Sequence, residues 1–205
     1  MAIVSGDTAQ IPLWIKLGYT VFVGVLVPVY LKHYGPANFL WFSDVALLAT
    51  ALGLWLESSL VVSTMTVAVA LPEILWNVDF FACLFTGRVP LGMAAYMFDR
   101  RLPRYLRGLS LFHVVLPVLL VWSVARLGYD PRALPVQTIS GTLLMILSYA
   151  LTDPSQNINW VFGPGSRPQR RLPPLVYVTM VIVSFPVLVY LPTHLLLQQL
   201  IPVAR

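Results

Sequence analysis

His113, Glu73, Asp44 and Ser43 are the side chains in this sequence that packing explains least. His113 and Glu73 stand inside apolar runs, LFHVVLP and VALPEILW, where a buried ionisable group is costly unless it is paired. A histidine can take and return a proton near neutrality, and a carboxylate can orient its ring. A serine hydroxyl activated by such a base attacks an ester carbonyl. On this reading Ser43 is the nucleophile, His113 its base, and Asp44 or Glu73 the group that holds the imidazole. Asn157 or Asn159 would donate hydrogen bonds to the oxyanion, and Trp160 would border an acyl chain. His33, Asn38 and Asn77 complete the polar set expected around a substrate.

Two other chemistries use the same residues. Two histidines and two carboxylates (His33, His113, Asp44, Glu73) would suit zinc or iron, although no H-x-x-x-H or H-E-x-x-H spacing occurs. Acyl chemistry requires no cofactor. The third reading is not catalytic: a polar cavity binding a lipid, quinone or pigment, or an accessory subunit of a membrane complex, its polar groups joining helices to one another. A transporter fits least, because no internal repeat is visible and the polar set lies off-centre. The single cysteine, Cys83, excludes an internal disulfide and reads as a small apolar residue.

The elements that must carry these residues follow from composition. Hydrophobic residues make up 58% of the 205 and charged residues 10%. A water-facing shell needs about a quarter of residues charged, so the expected solvent is lipid. The fold class expected is an all-α polytopic transmembrane bundle of about six spans in a single domain, residues 1–205. Apolar runs place the spans at about Ile11 to Tyr30, Phe39 to Leu56, Ser59 to Phe85, Leu109 to Leu127, Ala133 to Leu151 and Leu175 to Ile201. Pro72 gives the long third span a reason to break, and Pro186 and Pro192 predict a kink in the sixth. Residues 87–108, with arginines among Met93, Tyr96, Met97 and Tyr105, read as an interfacial segment between spans three and four.

Basic residues then orient the chain. Nine of the 13 lysines and arginines fall in the 1–2, 3–4 and 5–6 connections, while Arg126, Arg132 and Arg205 lie opposite and Lys16 sits in the first span. Positive charge stays inside, so those connections are expected in the cytoplasm and both termini outside it. The tail MAIVSGDTAQ lacks the basic start of a secretory signal, and the first span is expected to be retained. The net charge of +5 is read as topology signal and contact with membrane lipids, not nucleic acid.

With that orientation every candidate falls toward the cytoplasmic side, and only Gln137 and His194 lie toward the other. Glu73 and Asn77 share a helix face, as do Ser110 and His113; Asp79 points elsewhere and is expected to meet water. Ionisable residues from several helices at one depth imply a shared polar pocket.

Four segments that hold these residues, GPANFLWFSDVALL, VALPEILWNVDFF, LSLFHVVLPVLLVW and NINWVFGPG, carry a resemblance. They most resemble a bacterial group of membrane-associated proteins, and at greater distance the androgen-induced-gene family of membrane hydrolases and the YwaF-like integral membrane proteins. The likeness runs from about Gly35 to Gly165. It implies a multi-pass protein of the bacterial inner membrane that hydrolyses or transfers lipid acyl groups, with His113 at the position of the family histidine. The threonine nucleophile of the hydrolases falls on Trp41, and the cysteine of the acyltransferase relatives on Ser43 or Asp44.

Overall fold

Apolar runs without a water-facing stripe fold into helices in the computed structural model, which describes residues 10–165 and 167–204. Among the described residues five helices are long and apolar enough to cross a membrane. In chain order the elements are α1 (Leu13–Tyr34), α2 (Phe42–Leu56), α3 (Ser59–Thr86), α4 (Arg104–Leu109), α5 (Phe112–Leu127), α6 (Ala133–Leu151), α7 (Pro174–Phe185) and α8 (Leu191–Leu200). Helices α4 and α5 form one spanning unit, as do α7 and α8. No strand occurs among the described residues; a lone bridge pairs Tyr129 with Val203. The chain is an all-α bundle of membrane-spanning character. The start of the N-terminal tail and Arg205, which entered the reading of orientation, lie outside the described residues.

Three features of the expected spans differ in the structure. Span two begins at Phe42 rather than Phe39, because Pro36–Leu40 form a separate 3-10 turn that starts on a proline. The resulting α2 has 15 residues, about 22 Å at 1.5 Å per residue, less than a hydrocarbon core of about 30 Å. Helix α3 runs unbroken through Pro72 for 28 residues; losing one donor is tolerated where neighbouring helices pack around the site. In span six the irregularity is a π-helical turn, Pro186–Tyr190, that joins α7 to α8, while Pro192 is accommodated in the first turn of α8.

Helix α3 is the axis, packed against α2, α5, α6 and α8. Its buried run Val62–Ala70 is rich in Ser, Thr and Ala, and small side chains let neighbouring helices approach closely. Gly53 on α2 meets this run: a Cβ there would stand 3.0 Å from Val62 Cγ1. A two-residue link, Glu57 and Ser58, turns α2 into α3, and Ser58 caps α3 by accepting from the Val61 amide at 3.3 Å. Most buried apolar residues form one core, with Trp76, Ala94 and Met97 a satellite beneath the α3–α4 connection.

Asp79 departs from expectation. It is fully buried and accepts from the amides of Leu91, Gly92 and Ala94 at 2.7, 3.3 and 2.8 Å, tying residues 87–103 back onto α3. The far end of the bundle is also more polar than expected. Besides Gln137 and His194 it buries Ser63, Ser123, Tyr129 and Asp130. There the Tyr129 hydroxyl lies 2.6 Å from His194 Nδ1, Ser63 Oγ accepts from the Asp130 amide at 3.0 Å, and the Tyr129 backbone pairs with Pro202 and Ala204.

Candidate functional site

Because α3 is the most enclosed helix, a charged side chain on it must find its partner inside the bundle. Glu73 is 1% exposed and His113, on the neighbouring α5, supplies that partner. His113 Nδ1 lies 3.0 and 2.9 Å from the two Glu73 carboxylate oxygens. An ionised carboxylate only accepts, so Nδ1 carries the hydrogen and Nε2 of a neutral ring holds the lone pair. Nε2 makes no hydrogen bond among the described residues. Two aromatic rings stack on the imidazole, Trp76 at 4.6 Å between centroids and Phe112 at 4.1 Å.

Around this pair the two helices are fastened by Asn77. Its amide nitrogen donates to the Glu73 carbonyl and across to the His113 carbonyl, both at 2.8 Å. Asn77 is therefore occupied in fixing α3 to α5. One turn before His113, Ser110 Oγ donates to the Leu106 carbonyl at 3.1 Å and accepts from the buried Tyr30 hydroxyl at 2.7 Å. Asp44, from α2, completes the group. It is 5% exposed, lies within electrostatic range of His113, Glu73, Tyr30 and Tyr34, and its Oδ1 has no hydrogen-bond partner among the described residues. A buried polar atom left unpaired costs about 1–3 kcal/mol, and among the described residues of this cluster Asp44 Oδ1 and Trp76 Nε1 are both in that position.

Ser43 neighbours Asp44 along α2 and so projects about 100° away from it. It is half-buried, and no hydrogen bond joins it to His113. His33 is exposed at the end of α1, where Nδ1 donates to the Val29 carbonyl at 2.9 Å and Nε2 accepts from the Tyr105 hydroxyl at 2.7 Å. It does not join His113. Among the described residues no group of three or more His, Cys, Asp or Glu is placed to hold a metal ion. Both Glu73 oxygens face His113, and His33 is held by Tyr105.

Asn38 lines a cleft of about 180 Å³ with Tyr34, Trp41, Gln156 and Ile158. The other asparagines shape backbone. Asn157 donates to the carbonyls of Gly163 and Gly165, both at 2.7 Å, and accepts from the Phe162 amide at 2.9 Å. Asn159 accepts from the Phe42 amide at 3.0 Å and donates to the Leu40 carbonyl at 2.7 Å and to Ser148 Oγ at 3.1 Å. It is the cap that starts α2, delivered from the α6–α7 connection. Trp160 contributes its carbonyl to the Tyr177 hydroxyl at 3.1 Å. Asn157, Asn159 and Trp160 all adopt positive φ (44°, 52° and 58°), a conformation asparagine tolerates and tryptophan rarely takes.

The cluster the structure brings together is thus Glu73, His113 and Asp44, with Tyr30, Ser110 and Trp76. Ser110 is expected on the His113 face; sequence reasoning misses Trp76, although its place three residues after Glu73 is the signal that could have found it, and nothing in the sequence around Tyr30 marks it. No family model, curated protein or solved structure matches the chain.

Proposed function

We propose that the chain is a lipid-directed hydrolase or acyltransferase of the bacterial inner membrane, with Glu73 and His113 as its acid–base pair. The observation that carries this is the imidazole fixed by Glu73 through Nδ1 while Nε2 is left unpaired. In that arrangement Nε2 takes the proton of an attacking hydroxyl as its oxygen bonds to the ester carbonyl. The same nitrogen returns the proton to the departing alkoxide when the ester C–O bond breaks. The attacking hydroxyl is water in direct hydrolysis or the acceptor alcohol in a transfer reaction, since Ser43 does not reach His113. Asp44 offers its unpaired oxygen to a polar group of the substrate. The likeness of four segments to the androgen-induced-gene hydrolases supports ester chemistry, and the basic connections support a cytoplasm-facing site with both termini outside.

Turnover of a long-chain ester by the full chain in nanodiscs tests the proposal. His113→Ala abolishes turnover, and Glu73→Gln lowers it by about 10²- to 10⁴-fold, the usual worth of a positioned base. Full turnover by Ser43→Ala beside lost turnover in His113→Ala leaves water or the acceptor alcohol as the nucleophile. Full activity in folded His113→Ala protein overturns the assignment.

A second reading, a non-catalytic lipid- or quinone-binding protein, is favoured by a separate observation. Asn77, Asn157 and Asn159 all serve backbone groups instead of facing a substrate. A quinone or lipid retained stoichiometrically, with no ester turned over, decides for it.

A further inference from the structure

Between Gly87 and Leu111 the chain holds five arginines and one acidic residue, Asp99. Four of them, Arg100, Arg101, Arg104 and Arg107, line one open depression of about 710 Å³ together with Phe98. Asp99 is taken up by Arg101, whose Nε and Nη2 approach it at 3.1 and 2.8 Å. Arg107 donates from Nη1 to the Met97 carbonyl at 3.1 Å, but its buried Nε has no partner among the described residues. Arg100 and Arg104 are exposed and make no ion pair among the described residues. Among the described residues three guanidinium groups lining one concavity thus make no ion pair, and like charges gathered there repel unless an anion sits among them. Guanidinium forks bind the oxygens of a phosphate with particular strength.

The surroundings decide what carries that phosphate. Phe85, Val89, Leu91 and Tyr105, on the flanking helix ends and turn, are 78%, 43%, 51% and 53% exposed. Exposed apolar and aromatic side chains in the same stretch of chain as arginines, at the ends of membrane-length helices, are the composition of a lipid–water interface. We propose that this depression is a binding site for the phosphate headgroup of an anionic phospholipid, whose acyl chains lie along the exposed apolar residues of α3 and α4. The site is independent of the Glu73–His113 chemistry, which need not operate for a lipid to be held here.

The test uses the full chain in phosphatidylcholine nanodiscs doped with phosphatidic acid, with retained lipid read by native mass spectrometry. Wild type retains phosphatidic acid in preference to phosphatidylcholine. The exposed double variant Arg100→Gln/Arg104→Gln loses that preference by roughly tenfold or more, given the contribution of each basic residue near a membrane. Arg167→Gln/Arg170→Gln removes equal charge from the α6–α7 connection and leaves the preference unchanged. Retention by wild type also falls as salt rises. Equal retention of the two lipids, equal loss in both double variants, or insensitivity of wild type to salt overturns the proposal. Displacement of phosphatidic acid by an equal concentration of soluble glycerol phosphate also overturns it, because the site then selects a free anion.

Discussion

Glu73 and His113, separated by 40 positions on different helices, meet with both carboxylate oxygens within 3.0 Å of one imidazole nitrogen. The Glu73 side chain is 1% exposed against 14% for His113, so the carboxylate cannot turn to water if His113 is removed. His113→Ala is expected to cost about 3–5 kcal/mol, because it strands a carboxylate in the core. Adding Glu73→Gln to that variant neutralises the stranded group and recovers much of the loss. Unfolding in mixed detergent compares the single and double variants; a double variant as unstable as the sum of its parts would show that the two residues do not couple.

Asn159 is expected to fail as a structural residue before it fails as a catalytic one. Its side chain joins the amide of Phe42, the carbonyl of Leu40 and the hydroxyl of Ser148, so three elements depend on one amide. Asn159→Ala should destabilise the bundle by about 1–3 kcal/mol. It should also increase hydrogen exchange at the Phe42 amide, since α2 has no capping side chain of its own. Loss of ester turnover with unchanged stability and exchange would restore an oxyanion role.

What could be seen in the sequence was governed by solvent. In lipid a helix must satisfy its own backbone, so runs of apolar residues located the helices and the cost of burial singled out Glu73 and His113. The same reasoning could not separate polar side chains that serve a pocket from those that serve nearby backbone. Asn157 and Asn159 cap and brace loops, and Asp79 gathers three amides of a connection 12 to 15 residues away. Tyr129 and Asp130 lie in a short connection that reads as exposed. They are buried because the chain end pairs with Tyr129 and Ser63 reaches the Asp130 amide. Ser43 shows the limit of adjacency: next to Asp44 in sequence, it leaves the helix in another direction.

Gly141 on α6 faces the π-helical turn with no room for a side chain. A Cβ there would stand 2.5 Å from the Tyr190 hydroxyl oxygen and 2.9 Å from Gln137 Nε2. Tyr190 is 1% exposed and cannot swing aside. Gly141→Ala is therefore expected to destabilise by about 1–3 kcal/mol despite the better helix propensity of alanine. Tyr190→Phe in the same chain removes the nearest atom and should restore part of the loss. A thermal-shift comparison of the four proteins checks this, and additive effects would mean that the helices separate more easily than the contact implies.

Lys16 and Glu57 hold the opposite end of the bundle from within the α1–α2 pair. Lys16 Nζ donates to Glu57 Oε1 at 2.7 Å, and the amides of Gln10 and Ile11 donate to the same carboxylate at 3.0 and 3.1 Å. The bond from Lys16, above all, holds the Glu57 carboxyl below its ordinary range, and the two backbone amides add to it. A carboxyl whose pKa is lower folded than unfolded contributes its stability in full above the unfolded value, and loses it as pH falls through the folded one. The bundle should accordingly weaken on acidification through and below the ordinary glutamate range. Lys16→Met keeps the apolar stem, removes the charge, costs about 2 kcal/mol near neutrality and flattens that acid dependence. Glu57 also sits at φ 47°, so Glu57→Gly eases the backbone while deleting the acceptor. If the clasp outweighs the strain, Glu57→Gly melts below wild type at neutral pH and converges on it in acid. A glycine variant that melts above wild type at neutral pH would assign this turn's energetics to the backbone instead.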